Sequence, residues 1–571
     1  MCMSMQISDL QEKLAEAVKL HQSGELKAAQ ALYEAIIAED ADFQPALYNL
    51  ASLYRHVKLY DKSIAIYQKL ITLRKDDPNL YNNLAITYEA MGDFENALLL
   101  YQKAVETDSS FAKAYNNIAV LLHKQKRYAD GAAVLELALE YVGEDTQTLS
   151  NLGAFYNKTK RYEDARKVLE RALKIDPNLT GAYVNLGNVY NKLHRHMDAL
   201  ACHVKALELD PGSATNYANL AITYKHLERY DDAIENFQKA LHLEPEFVNA
   251  HFDLATTYLL LNDYENGFRE YEWRFYKEEM QSLLRQHSYI FEKPKFQFDL
   301  PTEGKTLLLY SEQGYGDIIQ FIRFAEPLKK VYPQLRLKVQ CREELKTLLQ
   351  TIPFLDEVVS RDEEVGAFDY QYAIMSLPYL LDIQYDDIPD SSYIKVDGGE
   401  KVSLELHPYK YNIGVVWGAS TTGEGYHEKI FPLQNLSALM HHEDIALYSL
   451  QVGPDADMIH KLGLSNEEIV DLSDQLVDFQ ATASVIEKLD LVITSDTSVA
   501  HLAGAMGKEV WILLIKKADW RWGLDSEKSR WYPSAKLFRQ KKQGEWQDVF
   551  EAVLNALKEK YYIEIPRNED A

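Results

Sequence analysis

The sequence predicts an α-solenoid followed by an α/β region of two doubly wound lobes, and three observations lead to this fold class. Residues 10–281 divide into eight consecutive 34-residue units without a gap. From Lys305 onward, short apolar runs alternate with amphipathic stretches, which is typical of parallel strands joined by helices. Hydrophobic residues make up 47% of the 571 residues, enough for several buried cores.

Each 34-residue unit places small residues where two helices would approach and large residues beside them. Small residues allow close helix packing, and larger ones fill the adjacent groove. Pro177, Pro211 and Pro245 lie at unit ends, where a helix must stop. Position twenty is small in every unit (Ala29, Ser63, Ala97, Gly131, Ala165, Ala199, Ala233, Gly267), and position twenty-four is usually large (Tyr33, Tyr67, Tyr101, Leu135, Leu169, Phe237, Tyr271).

These units resemble the tetratricopeptide repeat (TPR), a helix-turn-helix unit with this period and this pattern of small and aromatic residues. The resemblance implies a superhelix with an extended concave surface, of the kind that binds protein segments.

Position six of the units carries a ladder of asparagines, although Asn is a mediocre helix former. Positions two, nine and thirteen share its helix face, so we expect the ladder to line the concave groove. There the amide can satisfy both the N–H and the C=O of an extended polypeptide. Alternatively, the amides bond across neighbouring helices. The ladder consists of Asn49, Asn83, Asn117, Asn151, Asn185, Asn219 and, in the last unit, Asp253.

The groove is predicted to be locally basic in an acidic protein. With 61 basic and 87 acidic side chains the net charge is −26, which argues against nucleic acid or an anionic membrane as the main partner. Nevertheless, position thirteen holds Lys124, Lys158 and Lys192, and position twelve adds Asn157 and Asn191.

Cysteine usage and hydropathy exclude several classes of protein. Cys2, Cys202 and Cys341 are too few and too far apart for a disulfide framework or a Cys-based zinc site. The start has no basic and then apolar signal pattern, and no run of about 18 apolar residues occurs. The sequence therefore predicts a cytoplasmic protein without a membrane span.

Strand and helix patterns after the repeats form two series, and we assign one lobe to each. In the first series, residues 306–312 and 335–341 read as strands and residues 317–331 as the helix between them. The second series begins with a strand at 411–418. The predicted boundaries are 282–303 for a linker, 304–400 for the first lobe and 404–562 for the second.

Two strand-to-helix turns carry candidate chemistry. In SEQGYGD, glycines free the backbone just before Asp317 opens a helix, although an Asp at such a place also serves as a cap. In SDTSVAHL, a strand ends at Asp496 and a helix begins with Thr497 and Ser498, with His501 one turn inside. A helix N-terminus at the carboxyl edge of a parallel sheet favours anions such as phosphate. Simple capping is again the alternative.

Together these motifs resemble a known family. The GYGD turn, the WGAS turn (417–420), the KIFP segment (429–432) and SDTSVAHLAGAMGKEVW are similar to heptosyltransferase-like glycosyltransferases of the family 9 type, which have the two-lobed GT-B fold. EYEWRF (270–275) and DWRWGLDSEKSRWYPSAKLFRQ resemble bacterial proteins that join TPR arrays to such a domain, the flagellin glycosyltransferases among them. The asparagine ladder is also a feature of O-linked N-acetylglucosamine transferases.

The resemblance implies a role for each matching residue. Asp317 would be the general base that deprotonates the acceptor hydroxyl. Lys429 would hold the donor phosphates, and Asp496, Thr497, Ser498 and His501 would grip donor diphosphate and sugar. No metal or cofactor would be needed, although Asp455-Ala456-Asp457 is formally a DxD sequence.

Two features depart from the family or stay open. The loop 421–428, TTGEGYHE, is acidic to neutral where related domains carry basic residues, which weakens the inference of phosphate binding. An aromatic and basic cluster is expected to serve mostly in packing, with Arg521 or Arg539 able to touch the nucleotide. The cluster consists of Trp520, Arg521, Trp522, Trp531, Tyr532 and Arg539.

The predicted function is an inverting, metal-independent glycosyltransferase. It would move a sugar from a nucleotide-sugar to a hydroxyl of a polypeptide, flagellin being one example, that is held by the TPR groove. Two alternatives remain: a scaffold whose glycosyltransferase-like domain is inactive, and an enzyme that uses a saccharide acceptor in envelope polysaccharide synthesis.

Overall fold

The structure, a computed structural model, describes residues 2–396, 402, 404–418 and 426–563. The chain forms two compact units, Met1–Pro245 and Glu246–Ala571. The first unit consists of helix pairs joined by short turns. Its helices are α1 (Cys2–Gln22), α2 (Leu26–Glu39), α3 (Gln44–His56), α4 (Tyr60–Leu73), α5 (Pro78–Met91), α6 (Phe94–Thr107), α7 (Ala112–Lys124), α8 (Tyr128–Val142), α9 (Thr146–Lys158), α10 (Tyr162–Ile175), α11 (Thr180–Lys192), α12 (His196–Leu209), α13 (Ala214–His226) and α14 (Tyr230–Leu243).

The helix starts keep the predicted 34-residue period. The second unit of the chain begins with one more pair, α15 (Val248–Leu260) and α16 (Tyr264–Tyr271). From α3 to α15, the first helix of every pair begins at position one of a predicted unit: Gln44, Pro78, Ala112, Thr146, Thr180, Ala214 and Val248. Only α1 differs, because it starts at Cys2, ahead of the predicted unit start at residue 10.

Small and large residues pack against each other as the repeat pattern predicts. A Cβ at Gly153 would lie 2.4 Å from Cγ of Leu169, and a Cβ at Gly187 would lie 2.5 Å from the ring of His203. Glycine is therefore required at these two places because the side chain at position twenty-four fills the space. His203 occupies a position where other repeats carry Tyr, Leu or Phe, and it is fully buried.

The turn within each helix pair has a conformation that the sequence did not reveal. Position fifteen has a positive φ in all eight pairs, but only Gly24 and Gly92 are glycines there. A non-glycine side chain in this left-handed region is strained. The turn geometry of the repeat therefore overrides local preference at Lys58, Lys126, Lys160, His194, Glu228 and Asn262.

The last repeat departs from the regular pattern. Helix α16 is only 8 residues long and continues as a 3-10 turn, Glu272–Tyr276, before α17 (Glu278–Gln286). The predicted linker 282–303 contributes two buried side chains, Ile290 and Phe296. The Phe296 amide donates to the Gln371 carbonyl at 3.0 Å and so attaches this segment to the edge of a sheet.

The first sheet has four strands with the order β3-β2-β1-β4, and every pairing is parallel. Its strands are β1 (Thr306–Tyr310), β2 (Arg336–Cys341), β3 (Glu357–Ser360) and β4 (Tyr370–Ala373). Its helices are α18 (Tyr315–Phe321), α19 (Ala325–Val331), α20 (Glu343–Leu349) and α21 (Leu377–Leu380). The single helix predicted at 317–331 is divided by a 3-10 turn, because the ring of Pro327 clashes with the carbonyl four residues earlier.

The second sheet has six parallel strands with the order β10-β9-β8-β5-β6-β7. The strands are β5 (Tyr411–Val416), β6 (Ile445–Ser449), β7 (Val470–Asp471), β8 (Leu491–Ser495), β9 (Val510–Leu514) and β10 (Ala535–Arg539). The helices are α22 (Tyr426–Lys429), α23 (Ser437–Met440), α24 (Met458–Lys461), α25 (Phe479–Lys488), α26 (Ser498–Ala505) and α27 (Gln547–Tyr561).

Strand order places both candidate turns where open parallel sheets bind ligands. Connections reverse direction between β1 and β4 in the first sheet and between β5 and β8 in the second. Ligands of such sheets bind beyond the carboxyl ends of the strands at the reversal. Strand β1 leads into the turn before Asp317, and β8 leads into the turn at Asp496.

Candidate active site

Asp317 lies in the first turn of α18 and uses its two carboxylate oxygens differently. Gly314 is the N-cap, and its backbone amide donates to Oδ2 of Asp317 at 3.1 Å. Oδ1 accepts a hydrogen bond from Arg521 at 2.6 Å. The capping role considered from the sequence is therefore present, but it occupies only one oxygen. The side chain remains 23% exposed.

Asp496 follows β8 and holds two groups of the second sheet. Its Oδ2 accepts from Nζ of Lys429 at 2.6 Å, and its Oδ1 accepts from the indole Nε1 of Trp522 at 2.9 Å. Lys429 ends the short helix α22. The structure thus brings together two predicted donor-binding residues that are 67 positions apart in the chain.

Thr497 and Ser498 form the start of α26. Thr497 is the N-cap residue, and its hydroxyl lies 2.9 Å from the hydroxyl of Thr494. Ser498 is half-buried in the first helical turn. Ser495, at the end of β8, is fully buried, and its Oγ has no hydrogen-bond partner in the part of the chain that the structure describes. This edge of the sheet therefore carries hydroxyl groups beside free helix N–H groups.

His501 is enclosed between the two halves of the site. Its Nδ1 lies 3.0 Å from the hydroxyl of Tyr532, and its ring stacks on Trp522 with 5.2 Å between centroids. A Cβ at Gly316 would lie 2.7 Å from Cδ2 of His501, so only glycine fits opposite this ring. Burial lowers the pKa of His501 to about 3, and the imidazole is therefore neutral near pH 7.

Arg521 and its neighbour Trp522 connect the two turns, since Arg521 bonds to Asp317 and Trp522 bonds to Asp496. The Nε of Arg521 donates to the Gln320 side chain at 2.8 Å, one terminal nitrogen donates to Asp317, and the other donates to Asp519 at 2.8 Å. Its side chain is only 9% exposed. The sequence placed Arg521 in a packing cluster with a possible nucleotide contact, but did not indicate its pairing with Asp317. The remaining aromatic members, Trp520, Trp522, Trp531 and Tyr532, are buried as expected.

Burial and nearby charges together shift the pKa values of three central groups, Asp317, Asp496 and Lys429. Burial raises the pKa of Asp317 above its usual value, and the Asp519 and Asp496 carboxylates act in the same direction, while Arg521 opposes them. Burial also acts to raise the pKa of Asp496, but the Lys429 ammonium and the Trp522 indole hold it below its usual range. The pKa of Lys429 is raised because the attraction of Asp496 outweighs burial. Asp317 is thus the better proton acceptor of the two carboxylates.

A buried ion pair supports the turn before Asp317, and sequence reasoning missed it. Arg274 donates to Glu312 at 2.7 Å, to Ser376 at 2.7 Å and to Glu272 at 2.8 Å. Both Arg274 and Glu312 are buried. The motifs EYEWRF and SEQGYGD are separate in the sequence, and the structure shows that Arg274 of the first pairs with Glu312 of the second.

Two of the sequence features near the site include residues that the structure does not describe. Residues 419–420 of the WGAS turn and 421–425 of the acidic-to-neutral loop lie outside the described residues. Arg539 donates to the carbonyls of Trp522 and Gly523 at 3.1 Å and so supports the loop that carries Arg521.

Across 2–396, 402, 404–418 and 426–563, no group of three or more His, Cys, Asp or Glu side chains could hold a metal ion.

The asparagine ladder is hydrogen-bonded across neighbouring repeats. The Nδ2 groups of Asn83, Asn117, Asn151 and Asn185 donate to Tyr48, Asn82, Asn116 and the Ser150 carbonyl, each 35 positions earlier, at 2.6–3.4 Å. The alternative of bonding across helices is therefore present at these four positions. The ladder amides stay half-buried, so a role in binding a polypeptide remains a prediction for all seven ladder residues, including Asn49, Asn219 and Asp253.

One predicted lining residue is not on the surface. Asn191 is buried, and its Nδ2 donates to the hydroxyl of Thr223 at 2.8 Å. The expectation that Asn191 lines the groove was wrong, because this amide satisfies a polar group inside the repeat packing.

Comparison with known families identifies the N-terminal region. Sequence models of the tetratricopeptide repeat match residues 43–110, 110–178, 178–243 and 226–266. The N-terminal region is therefore a TPR α-solenoid of about 16 helices, followed by a region with parallel sheets. No helix in the described part of the chain is both long enough and apolar enough to cross a membrane.

Proteins of known sequence or structure are similar to part of this chain. Protein FlbA of Caulobacter vibrioides is 24% identical over 286 residues, which cover 45% of this chain and 47% of FlbA. The match therefore spans about half the length of that relative. YrrB, a TPR protein with an unusual peptide-binding site, is 29% identical with a TM-score of 0.27, covering 32% of this chain and 95% of YrrB. A TPR protein of Parabacteroides merdae is 15% identical with a TM-score of 0.36, covering 44% of this chain and 99% of that protein.

Proposed function

We propose that the protein is a glycosyltransferase in which a GT-B type α/β region moves a sugar from a nucleotide-sugar to a hydroxyl of a polypeptide held by the TPR region. One observation carries this proposal: the turns at Asp317 and Asp496, each beyond the reversal point of a different parallel sheet, meet through the adjacent residues Arg521 and Trp522. The arrangement places a candidate base beside a candidate phosphate site.

The proposed chemistry begins at Asp317. Its raised pKa and partial exposure suit a carboxylate that takes the proton of the acceptor hydroxyl. The hydroxyl oxygen would then form a bond to the anomeric carbon while the bond between that carbon and the phosphate oxygen breaks. The nucleoside diphosphate would leave, and attack from the opposite side would invert the anomeric configuration.

Groups on the second sheet would stabilise the leaving phosphates. Free N–H groups at the start of α26, the hydroxyls of Thr497 and Ser498, and the ammonium of Lys429 supply donors and positive charge there. Lys429 is paired with Asp496 at 2.6 Å. A bound diphosphate would therefore share this lysine with Asp496 rather than meet a free cation.

A second candidate function is a protein-binding scaffold without transfer activity, and the ion pair of Asp317 with Arg521 favours it. Arg521 lowers the pKa of Asp317 against the effect of burial and occupies one of its two oxygens. Several ladder amides are also used for bonds between repeats. Binding of protein segments by the solenoid is common to both functions, whereas nucleotide binding belongs only to the first.

Thermal melting of the full chain with nucleoside diphosphates separates the two functions. A ligand present at about 100 times its Kd stabilises a protein by about 2.7 kcal/mol. We expect one of UDP, GDP, CDP, ADP or dTDP to raise Tm and Lys429→Met to abolish the rise. The matched control is Lys461→Met, which removes an exposed lysine of the same lobe. Failure of every nucleotide to raise the Tm of the unmutated protein would favour the scaffold.

A further inference from the structure

We propose that the first helices of the repeats bind an extended polypeptide that carries an acidic side chain at about every third residue. The surface concerned, the first-helix face, consists of positions two, six, nine and thirteen in α3, α5, α7, α9, α11 and α13. The inference deepens the proposed function by naming the chemistry of the acceptor segment. It rests on that function only in taking the bound segment to be the one that receives the sugar.

Charges on the first-helix face are opposite to those of the whole protein. Its 24 positions hold four lysines and no carboxylate, although the chain as a whole has 61 basic and 87 acidic residues. Acidic side chains are thus absent from these positions of an acidic protein, which favours an anionic partner there. The four lysines are Lys113, Lys124, Lys158 and Lys192.

Two of these lysines are available to a partner. Lys158 and Lys192 are exposed, and neither forms an ion pair with any residue that the structure describes. Lys124 shares its charge with Glu89 at 2.6 Å and is 54% exposed. By contrast, the cations at the start of the second helices are paired within their own turn: Arg127 with Asp130, Arg161 with Asp164, Arg195 with Asp198, and Arg229 with Asp232.

Repeat geometry sets the spacing of the acidic groups. The bonds from Asn117 to Asn82 at 2.8 Å and from Asn151 to Asn116 at 2.6 Å hold neighbouring first helices side by side. Packed helices lie about 8–10 Å apart, and an extended chain advances about 3.3 Å per residue. One repeat therefore corresponds to about three residues of an extended polypeptide, and the lysines at position thirteen recur once per repeat.

The ladder amides lie on the same face and suit the backbone of such a chain. An Asn that donates one N–H between repeats keeps a second N–H, and the side chains of Asn117 and Asn185 remain half-buried. The ladder amides would bind the backbone of the partner, and the lysines would bind its acidic side chains. Together they would select an extended acidic segment, whatever its other residues are.

Fluorescence anisotropy with the full chain and labelled 12-residue peptides tests the proposal. The spaced acidic probe is four repeats of Glu-Ser-Ala, and the basic probe is four repeats of Lys-Ser-Ala. A third probe has the same amino acids as the spaced acidic peptide, but its four glutamates are adjacent. We expect the spaced acidic peptide to bind most tightly and more weakly as salt is raised. Lys158→Glu with Lys192→Glu should weaken its binding about ten-fold, because each substitution turns an attraction to a glutamate into a repulsion.

The matched control is Lys167→Glu with Lys174→Glu, which reverses two exposed lysines on the second helix α10 and should leave affinity unchanged. Lys158→Ala with Lys192→Ala should weaken binding less than the reversal does. Equal binding of the basic peptide, or unchanged affinity after the Lys158 and Lys192 reversals, would overturn the proposal. Equal binding of the adjacent-glutamate peptide would overturn the spacing. No sugar transfer is needed for this measurement, so its failure differs from failure of the nucleotide experiment.

Discussion

Arg521 donates to Oδ1 of Asp317 at 2.6 Å, so that one guanidinium from the second sheet's lobe fixes the candidate base of the first. The same side chain also contacts Gln320 and Asp519. The position and proton affinity of Asp317 therefore depend on a residue 204 positions later in the chain.

Replacing Arg521 should change the pH dependence of sugar transfer. Burial already raises the pKa of Asp317, and Arg521 is the main charge that opposes this rise. In Arg521→Gln the pKa should rise further, so the acidic limb of kcat/KM should move to higher pH. Arg530→Gln removes a nearby half-buried arginine as a control. An acidic limb that stays in place would exclude Asp317 as the titrating group.

A methyl group at Gly316 should separate the two turns. In Gly316→Ala the new Cβ would lie 2.7 Å from Cδ2 of the buried His501, and overpacking of this kind costs about 1–3 kcal/mol. Melting of the full chain should show a lower Tm and a smaller rise on nucleotide binding. Gly314→Ala is the matched control, because its Cβ would meet only Oδ2 of Asp317, at 3.4 Å. Equal effects of the two substitutions would contradict this packing argument.

The Arg274 and Glu312 pair should be costly to break but replaceable as a unit. Removing one partner of a buried pair leaves the other charge uncompensated and costs about 3–5 kcal/mol. We therefore expect Arg274→Met to lower Tm strongly and Arg274→Met with Glu312→Leu to recover much of the loss. The exposed pair of Arg229 and Asp232 provides a control, where Arg229→Met should have little effect. A double variant no more stable than the single one would contradict the prediction.

Leucine at His203 should stabilise the repeats, and more so in acid. Both ring nitrogens are buried without a partner among the described residues, and burial lowers the pKa of His203 to about 4. The unfolded chain binds a proton below about pH 6.5, whereas the folded chain does not until about pH 4, so stability falls across this window. At pH 5 the gain from His203→Leu should include roughly 2 kcal/mol from this difference.

Leu169 shows that leucine fits at this position, because it packs against Gly153 as His203 packs against Gly187. The control is His242→Leu at an exposed site. Melting temperatures at pH 5 and pH 7.5 measure the effect. A gain that is the same at both pH values would show that protonation of His203 does not oppose folding.

Two ladder residues should differ in their contribution to stability. Asn151 donates to Asn116 across repeats, whereas the Asn219 amide makes no such bond with the described residues. Asn151→Ala should therefore lower the free energy of unfolding by about 1 kcal/mol, and Asn219→Ala should change it little. Equal losses in denaturant titrations would mean that the bonds between repeats do not stabilise the solenoid.

Local patterns in the sequence were enough to predict much of the fold. The repeat boundaries followed from small and large residues at fixed positions, and the strands β1, β2, β5 and β8 followed from apolar runs. The two candidate turns could be found because glycine, Asp, Ser and Thr after a buried strand mark the start of a helix, where side chains cap the free N–H groups and anions bind.

Pairings between distant residues could not be predicted in the same way. Arg521 reads as a member of an aromatic cluster, and nothing near it in the sequence points to Asp317. Arg274 and Glu312 are likewise charged residues in separate motifs, so only folding shows that each neutralises the other. The left-handed turn at Lys160 was also hidden, because repeat packing overrides the preference of lysine.

Mass spectrometry of cellular proteins tests the central claim most directly. Cells that lack the gene would be compared with the same cells carrying either the unmutated gene or Asp317→Asn, which keeps the size of the side chain but removes the base. We predict a protein whose mass carries an added sugar only when the unmutated gene is present. Sugar on the same protein with Asp317→Asn, or no sugar-bearing protein that depends on the gene, would contradict the claim.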